Sequence, residues 1–240
     1  MNFFQQTLRF FNLFPCPACG EGDGNGVNDF CPECRKKFGA IDPAKRCHGC
    51  GGDNDTALAL CSLCLQEKKR PWLDALSLFR YENEAREMIL KFKSGNHGVI
   101  ARPLGKLAAC AIAAEAWKID VIVPIPLHFL RKFKRTYNQA ELLARQIGDH
   151  LDLPVENALT RRYAAGKQAA RSRIGRHRSI RHQFEIGDFR RIAGRDVLLV
   201  DDVFTTGATC DAASRVLLQN GAKSVRVFTI CRTVGYAGRM

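Results

Sequence analysis

Two groups of residues in this 240-residue chain are spaced for chemistry. The first is the run Val197-Leu-Leu-Val-Asp-Asp-Val-Phe-Thr-Thr-Gly-Ala-Thr209. A fully apolar strand is expected to end there in two carboxylates, Asp201 and Asp202, followed by a small-residue bend that opens a helix. A bend in which Gly207 takes up unusual dihedrals turns successive backbone N–H groups toward one point. The positive end of the following helix then completes a phosphate cradle over Thr205, Thr206, Gly207, Ala208 and Thr209. The hydroxyls of Thr205, Thr206 and Thr209 supply further donors. Two negative charges beside an anion site call for a ligand that carries both a phosphate and a vicinal diol. A ribose 5-phosphate meets that requirement, its 2- and 3-hydroxyls donating to the carboxylates.

An aspartate pair after an apolar strand also matches the Walker B element of nucleotide hydrolases. That element needs a G-x-x-x-x-G-K-[ST] partner, which is missing. At Gly105-Lys106, the nearest fragment, Ile100 stands in place of the first glycine and Leu107 in place of Ser or Thr. An ordinary strand-turn-helix with a single capping aspartate is the plainer alternative. It explains neither the second carboxylate nor Thr-Thr-Gly-Ala-Thr.

The second group is cysteine. Of 11 in the chain, eight form four Cys-x-x-Cys pairs before residue 65: Cys16/Cys19, Cys31/Cys34, Cys47/Cys50 and Cys61/Cys64. Reduced thiolates at this spacing are metal ligands more often than disulfides. The first and third pairs are each followed by glycine, which permits the curl that aims amides at sulfur; the second and fourth are not. This repeat favours two tandem sites, 16/19/31/34 and 47/50/61/64, over an interleaved pairing. Four protein thiolates leave no open position for substrate, so the expectation is structural zinc that contributes folding free energy. A redox Cys-x-x-Cys is the competing idea, and four of them in two repeats argue against it. Cys110, Cys210 and Cys231 stand alone in apolar stretches and are expected to be buried packing residues.

The formal charge is +13, unevenly placed. Residues 1–70 hold nine Lys/Arg against eight Asp/Glu, leaving 28 against 16 for the remainder. Arg161 to Arg181 carries eight cations and no carboxylate, which suits a polyanion or a phosphorylated ligand better than a mixed-sign solvated face. With 46% hydrophobic residues and a mean hydropathy of −0.19, wholesale disorder is excluded. No apolar run reaches the roughly 18–20 residues of a membrane span. The N-terminus lacks a basic n-region and a cleavage site. It reads as a short amphipathic helix burying Phe3, Phe4, Leu8, Phe11 and Phe14, in a soluble cytoplasmic protein.

Elements must position these groups. Glu67 to Pro71 reads as a hinge between a Cys-rich module, residues 1–70, and a second domain, residues 71–240. In the latter, strands are expected at Ala75 to Tyr81, Val121 to Ile125, Val155 to Leu159, Val197 to Val200 and Ser224 to Cys231. Helices are expected at Glu84 to Phe92, Leu104 to Trp117, Asn138 to His150 and Thr209 to Gln219, and a loop over 161–181. This alternation predicts an α/β fold with a doubly wound, mostly parallel sheet. Ligands then sit at the carboxyl ends of the strands.

VLLVDDVFTTGAT resembles the 5-phosphoribosyl-1-diphosphate (PRPP) motif of type I phosphoribosyltransferases, with Phe204 an unusual filler. The whole chain resembles the ComF/GntX family, in which a zinc-ribbon module precedes a domain of that kind. Leu90-Lys-Phe-Lys93, Val123-Pro-Ile-Pro126, Tyr137-Asn-Gln-Ala140 and Ile230-Cys-Arg-Thr233 are further similar segments. The chain departs from the pattern at Thr136-Tyr-Asn-Gln139, usually Gly-Phe-Asn-Gln, and at Arg178 to Phe184, which lacks the family's Asn.

The resemblance implies that Asp201 and Asp202 hold the ribose hydroxyls, that Thr205 to Thr209 hold the 5-phosphate, and that Mg²⁺ bridges diphosphate and sugar oxygens. It places Arg131, Lys134 and Arg135 in a diphosphate loop. Arg171, Arg173 and Arg178, with His177 beside them, fall in a hood over 161–181. It further implies single-stranded DNA as a partner, in natural competence, with an active transferase acting on a nitrogenous acceptor as the alternative. Aromatics near the cations that could stack bases are Phe129, Phe133, Tyr137, Tyr163 and Phe184.

Overall fold

The structure, a computed structural model, describes residues 15–21, 29–67, 69–94, 97–127, 137–161 and 183–233. The expected N-terminal helix, most of the expected basic loop and hood, and the residues Phe129, Phe133 and Tyr163 lie outside the described residues. The strands are β1 (Asp74–Arg80), β2 (Val121–Pro124), β3 (Leu159–Arg161), β4 (Phe184–Ile186), β5 (Asp196–Phe204) and β6 (Ser224–Arg232). The helices are α1 (Pro32–Lys37), α2 (Ser62–Gln66), α3 (Asn83–Ser94), α4 (His97–Ala114), α5 (Gln139–Leu151) and α6 (Ala208–Gln219).

The apolar runs build one parallel sheet, ordered β1-β6-β5-β2. Both faces are covered, as parallel strands require. Leu76, Ile122, Leu198, Val200 and Phe228 meet α3, α4 and α5 on one side. Val121, Val197, Leu199 and Val227 meet α6 and the antiparallel pair β3–β4 on the other. The doubly wound expectation holds.

Several boundaries move. α4 begins at His97 instead of Leu104 and carries Pro103 within it, a residue that argues against helix when read locally. Gly105 lets α4 approach α5 so closely that a Cβ there would lie 2.2 Å from Cβ of Gln146. The expected strand at Val155 to Leu159 is divided: Val155 makes one parallel bridge to Ile122, and β3 starts at Leu159. Cys210 and Cys231 are buried as expected, but Cys110 is exposed: it lies on the solvent side of α4, and the Ala-rich run around it gives no amphipathic signal to separate the two sides.

The cysteine repeat is visible as structure. In each unit the third cysteine precedes a short helix, α1 after Cys31 and α2 after Cys61, and the fourth lies inside it. Gly20 and Gly51 both adopt the left-handed conformation (φ 77° and 70°), their amides donating to Cys16 O and Cys47 O. The two units sit on opposite faces of the sheet: the first joins the α3–α5 core and the second the α6 core. Between them, residues 39–41 run antiparallel along the outer side of β1, with Ile41 N–H donating to Leu78 O and Arg80 N–H to Gly39 O. A buried guanidinium adds to this junction. Arg46 reaches Asp74 at 2.8 Å and Glu115 at 2.6 Å, tying the second unit to β1 and to the residue that follows α4.

Candidate functional site

The two metal clusters come first in the chain. The sulfurs of Cys16, Cys19, Cys31 and Cys34 lie within 4.8 Å of one another, as do those of Cys47, Cys50, Cys61 and Cys64. This is the tandem grouping favoured by the repeat. Zn–S bonds of about 2.3 Å in a tetrahedron put sulfurs about 3.8 Å apart. Cys50 Sγ and Cys61 Sγ are 3.9 Å apart, and no cysteine is in a disulfide. Backbone amides already face the sulfurs: Cys31 N–H donates to Cys16 Sγ at 3.3 Å and Cys61 N–H to Cys47 Sγ at 3.2 Å. Burial raises the Cys16 thiol, but hydrogen bonds from the amides of Cys31, Cys19 and Ala18 and from the Cys31 side chain bring it down to about 7. Donor set, spacing and amide support all fit zinc.

The second site lies at the carboxyl ends of β2 and β5. A cavity of about 440 Å³ opens there, lined among others by Asp201, Asp202, Thr205, Thr209, Lys93 and Arg161. Side chains alternate along a strand, so consecutive acids point to opposite faces. Asp202 turns toward α3, where Lys93 Nζ lies 3.0 Å from Oδ2. Asp201 shares its side with α6, and the amide of Asp202 donates to its Oδ1 at 2.9 Å. The half-buried Asp201 carboxyl is pushed up to about 7, first by desolvation and then by the charge of Asp202. The hydrogen bond from the Asp202 amide and the charges of Lys93 and Arg161 pull the other way.

The bend after β5 has its carbonyls pulled outward. Arg232 donates to Thr205 O at 2.8 Å and Arg70 to Thr206 O at 3.4 Å. No described peptide is cis, so the N–H groups of Thr206 and Gly207 point the opposite way. Gly207 is left-handed (φ 78°) and starts α6 with no side-chain cap of its own, leaving the first-turn amides of Thr209 and Cys210 for a ligand. The Thr206 hydroxyl instead accepts from Ala208 N–H at 3.3 Å, serving the bend itself. Of the five expected cradle residues, Thr205 and Thr209 line the cavity, while Thr206, Gly207 and Ala208 form the turn behind it. Arg131, Lys134, Arg135, Arg171, Arg173, Arg178 and His177 lie outside the described residues.

Three of the four segments noted for their resemblance converge on this cavity, and the fourth, Ile230 to Thr233, reaches the bend through Arg232. Lys93 comes from α3, Ile125 and Pro126 from the end of β2, and Asn138 to Ala140 from the start of α5. Asn138 caps α5, accepting from Ala140 N–H, and donates to Ile125 O at 3.1 Å, which locks two walls together. Tyr137 donates to Phe92 O at 2.6 Å, and Phe184 is buried beneath Arg161, so these two rings serve the scaffold. Sequence reasoning gave no role to Lys93, Asn138 or Tyr81. A lysine in the last turn of an amphipathic helix shows no role of its own until its partner is in place.

Residues 97–238 match the family described as phosphoribosyl transferase domain. Over nearly its full length the chain is similar to "Competence protein F" of Haemophilus influenzae, with 29% identity over 94% of this chain and 99% of that one. It is 30% identical to "DNA utilization protein YhgH" of Escherichia coli over 78% of this chain and 84% of the relative. "Competence protein ComFC" of Bacillus subtilis is 33% identical over 65% of this chain and 63% of that one. No helix among the described residues is long and apolar enough to cross a membrane.

Proposed function

The chain belongs to the phosphoribosyl transferase domain family and to its ComF-type group, and we propose that it binds PRPP or a related ribose phosphate and handles incoming single-stranded DNA in the cytoplasm. What carries this reading is that Asp201, Asp202, Thr205 and Thr209 face one cavity, with outward-pulled carbonyls behind them. The carboxylates accept from the ribose 2- and 3-hydroxyls. The amides of the bend and the first turn of α6 donate to the 5-phosphate, where the helix end favours negative charge. Lys93 and Arg161 hold positive charge on the cavity wall, where it offsets the diphosphate. Arg135 is assigned to neutralising the leaving diphosphate and Arg171 to the hood over the site.

Asp201 and Asp202 offer the oxygen donors that a hard cation prefers, so Mg²⁺ would be held beside them with several waters retained. When bound, it neutralises diphosphate charge. Residues 1–70 are read as the metal-stabilised module and 71–240 as the ligand-binding domain. Calorimetry with PRPP and Mg²⁺ tests the site: the Asp201→Asn/Asp202→Asn variant is expected to lose binding while keeping its zinc. Retained binding would place the site elsewhere.

The DNA arm rests on the names of the relatives and on 28 basic against 16 acidic residues beyond residue 70. Binding of a short oligonucleotide is expected to weaken as salt rises, by about 0.7 log units per phosphate neutralised for each log unit of salt. A salt-independent affinity would remove this arm. The second reading, an active transferase, is favoured by the fixed cations Lys93 and Arg161 beside the aspartate pair, which suit a departing diphosphate. Diphosphate release from PRPP with amine or base acceptors decides it.

A further inference from the structure

The bend at residues 204–209 is held from behind by groups that reach it from the second cysteine cluster. Trp72 Nε1–H donates to Gly49 O at 2.9 Å, and Gly49 lies between Cys47 and Cys50. The fit around Gly49 is close: a Cβ there would lie 3.0 Å from Cys64 Sγ. On its other side the Trp72 ring meets Phe204 edge-on, centroids 6.0 Å apart, and Arg70 covers it at 5.4 Å before reaching Thr206 O. A second strut runs in parallel. Gly52 abuts the stem of Arg232, whose Cγ would be 2.8 Å from an added Cβ. The Arg232 guanidinium lies 5.0 Å from the Phe204 ring and donates to Thr205 O. Both carbonyls that set the amide direction are thus held from the metal side. The first cluster meets the opposite face of the sheet, where Lys91 of α3 donates to Ala18 O.

We propose that Trp72 and Arg232 are positioning residues that couple metal occupancy of the Cys47/Cys50/Cys61/Cys64 cluster to sugar-phosphate binding at the bend, and that the Cys16/Cys19/Cys31/Cys34 cluster is not so coupled. This rests on the reading of the bend as a sugar-phosphate cradle. Coupling free energies are reciprocal, so a ligand on the bend must retain metal in the second cluster as much as that metal favours the ligand. A merely structural role for the two side chains produces no such response.

The test titrates a competing chelating dye into the full-length, zinc-loaded protein at equilibrium, with and without saturating PRPP. One of two zinc equivalents is expected to be held at least about fivefold more tightly with PRPP, and the other with unchanged affinity. Trp72→Phe removes the bond to Gly49 O but keeps a ring against Phe204, and Arg232→Gln removes the hold on Thr205 O. Each is expected to retain both zinc equivalents, to bind PRPP about tenfold more weakly, and to hold zinc with an affinity indifferent to PRPP. If wild-type protein binds PRPP by calorimetry while both equivalents keep the same zinc affinity with and without it, the coupling is overturned and the cradle stands. The coupling is equally overturned if Trp72→Phe, the milder variant, responds to PRPP as wild type does. If wild type binds no PRPP, the cradle falls and the coupling with it.

Discussion

The ammonium of Lys93 lies 3.0 Å from Oδ2 of Asp202, and Asp201 has no comparable close cation among its described contacts. The two adjacent acids are therefore unequal. One is paired, and the carboxyl of the other is pushed up to about 7, first by burial and then by the charge of its neighbour.

Replacing Lys93 with Met should raise the Asp201 carboxyl further, because its charge is among the influences holding that group down. If PRPP requires ionised Asp201, the pH at which affinity reaches half its maximum moves above about 7. Calorimetry from pH 6 to 9 reads the shift. An unchanged midpoint would detach Lys93 from the acids.

Asp201 also ties stability to pH. Its carboxyl is raised in the fold from an ordinary 3.8 to about 7, so the native state holds a proton that the unfolded chain releases. That stabilisation is complete below about pH 4 and is lost as pH rises through 7. Asp201→Asn, which stays neutral, should melt higher than wild type at pH 8, and this advantage should shrink at pH 5. Thermal melts at the two values check the sign.

Gly207→Ala should damage the bend directly. The residue is left-handed, and a Cβ would sit 2.5 Å from Cζ of Phe204, a ring held by Trp72 and Arg232. A loss of about 1–3 kcal/mol of stability is expected, together with most of the PRPP affinity. Urea melts and calorimetry measure the two effects, and full zinc content shows that the damage is local.

Metal analysis should return two zinc ions per chain, one for each four-sulfur cluster. Cys34→Ser and Cys64→Ser should each remove one. Both should lower the melting temperature, since each cluster is continuous with a face of the core. A single zinc in wild type would refute the tandem assignment.

The sequence was most readable where one chemical requirement fixes several residues at once. The apolar run ending in Asp201-Asp202, the Thr-Thr-Gly bend and the doubled Cys-x-x-Cys spacing each left a local pattern, and strands and clusters appear there. Lys93 and Arg232 showed only as members of segments similar to the family and Trp72 not at all, because their roles depend on partners more than 20 residues away. Cys110 was misplaced for a related reason: in an Ala-rich helix almost any face can pass for the buried one. The opposed placement of the cysteine units was likewise hidden, since nothing local says on which side of a sheet a small module will land.

Residues 39–41 lie along the flank of β1 that no strand among the described residues occupies. A fragment begun at residue 71 would lose that cover and leave the backbone donors and acceptors of Leu78 and Arg80 bare. Such a flank is a template for a second molecule. Recombinant versions trimmed to the ligand-binding half are thus expected to self-associate and precipitate, so that poor solubility would reflect a missing border and not a defective interior.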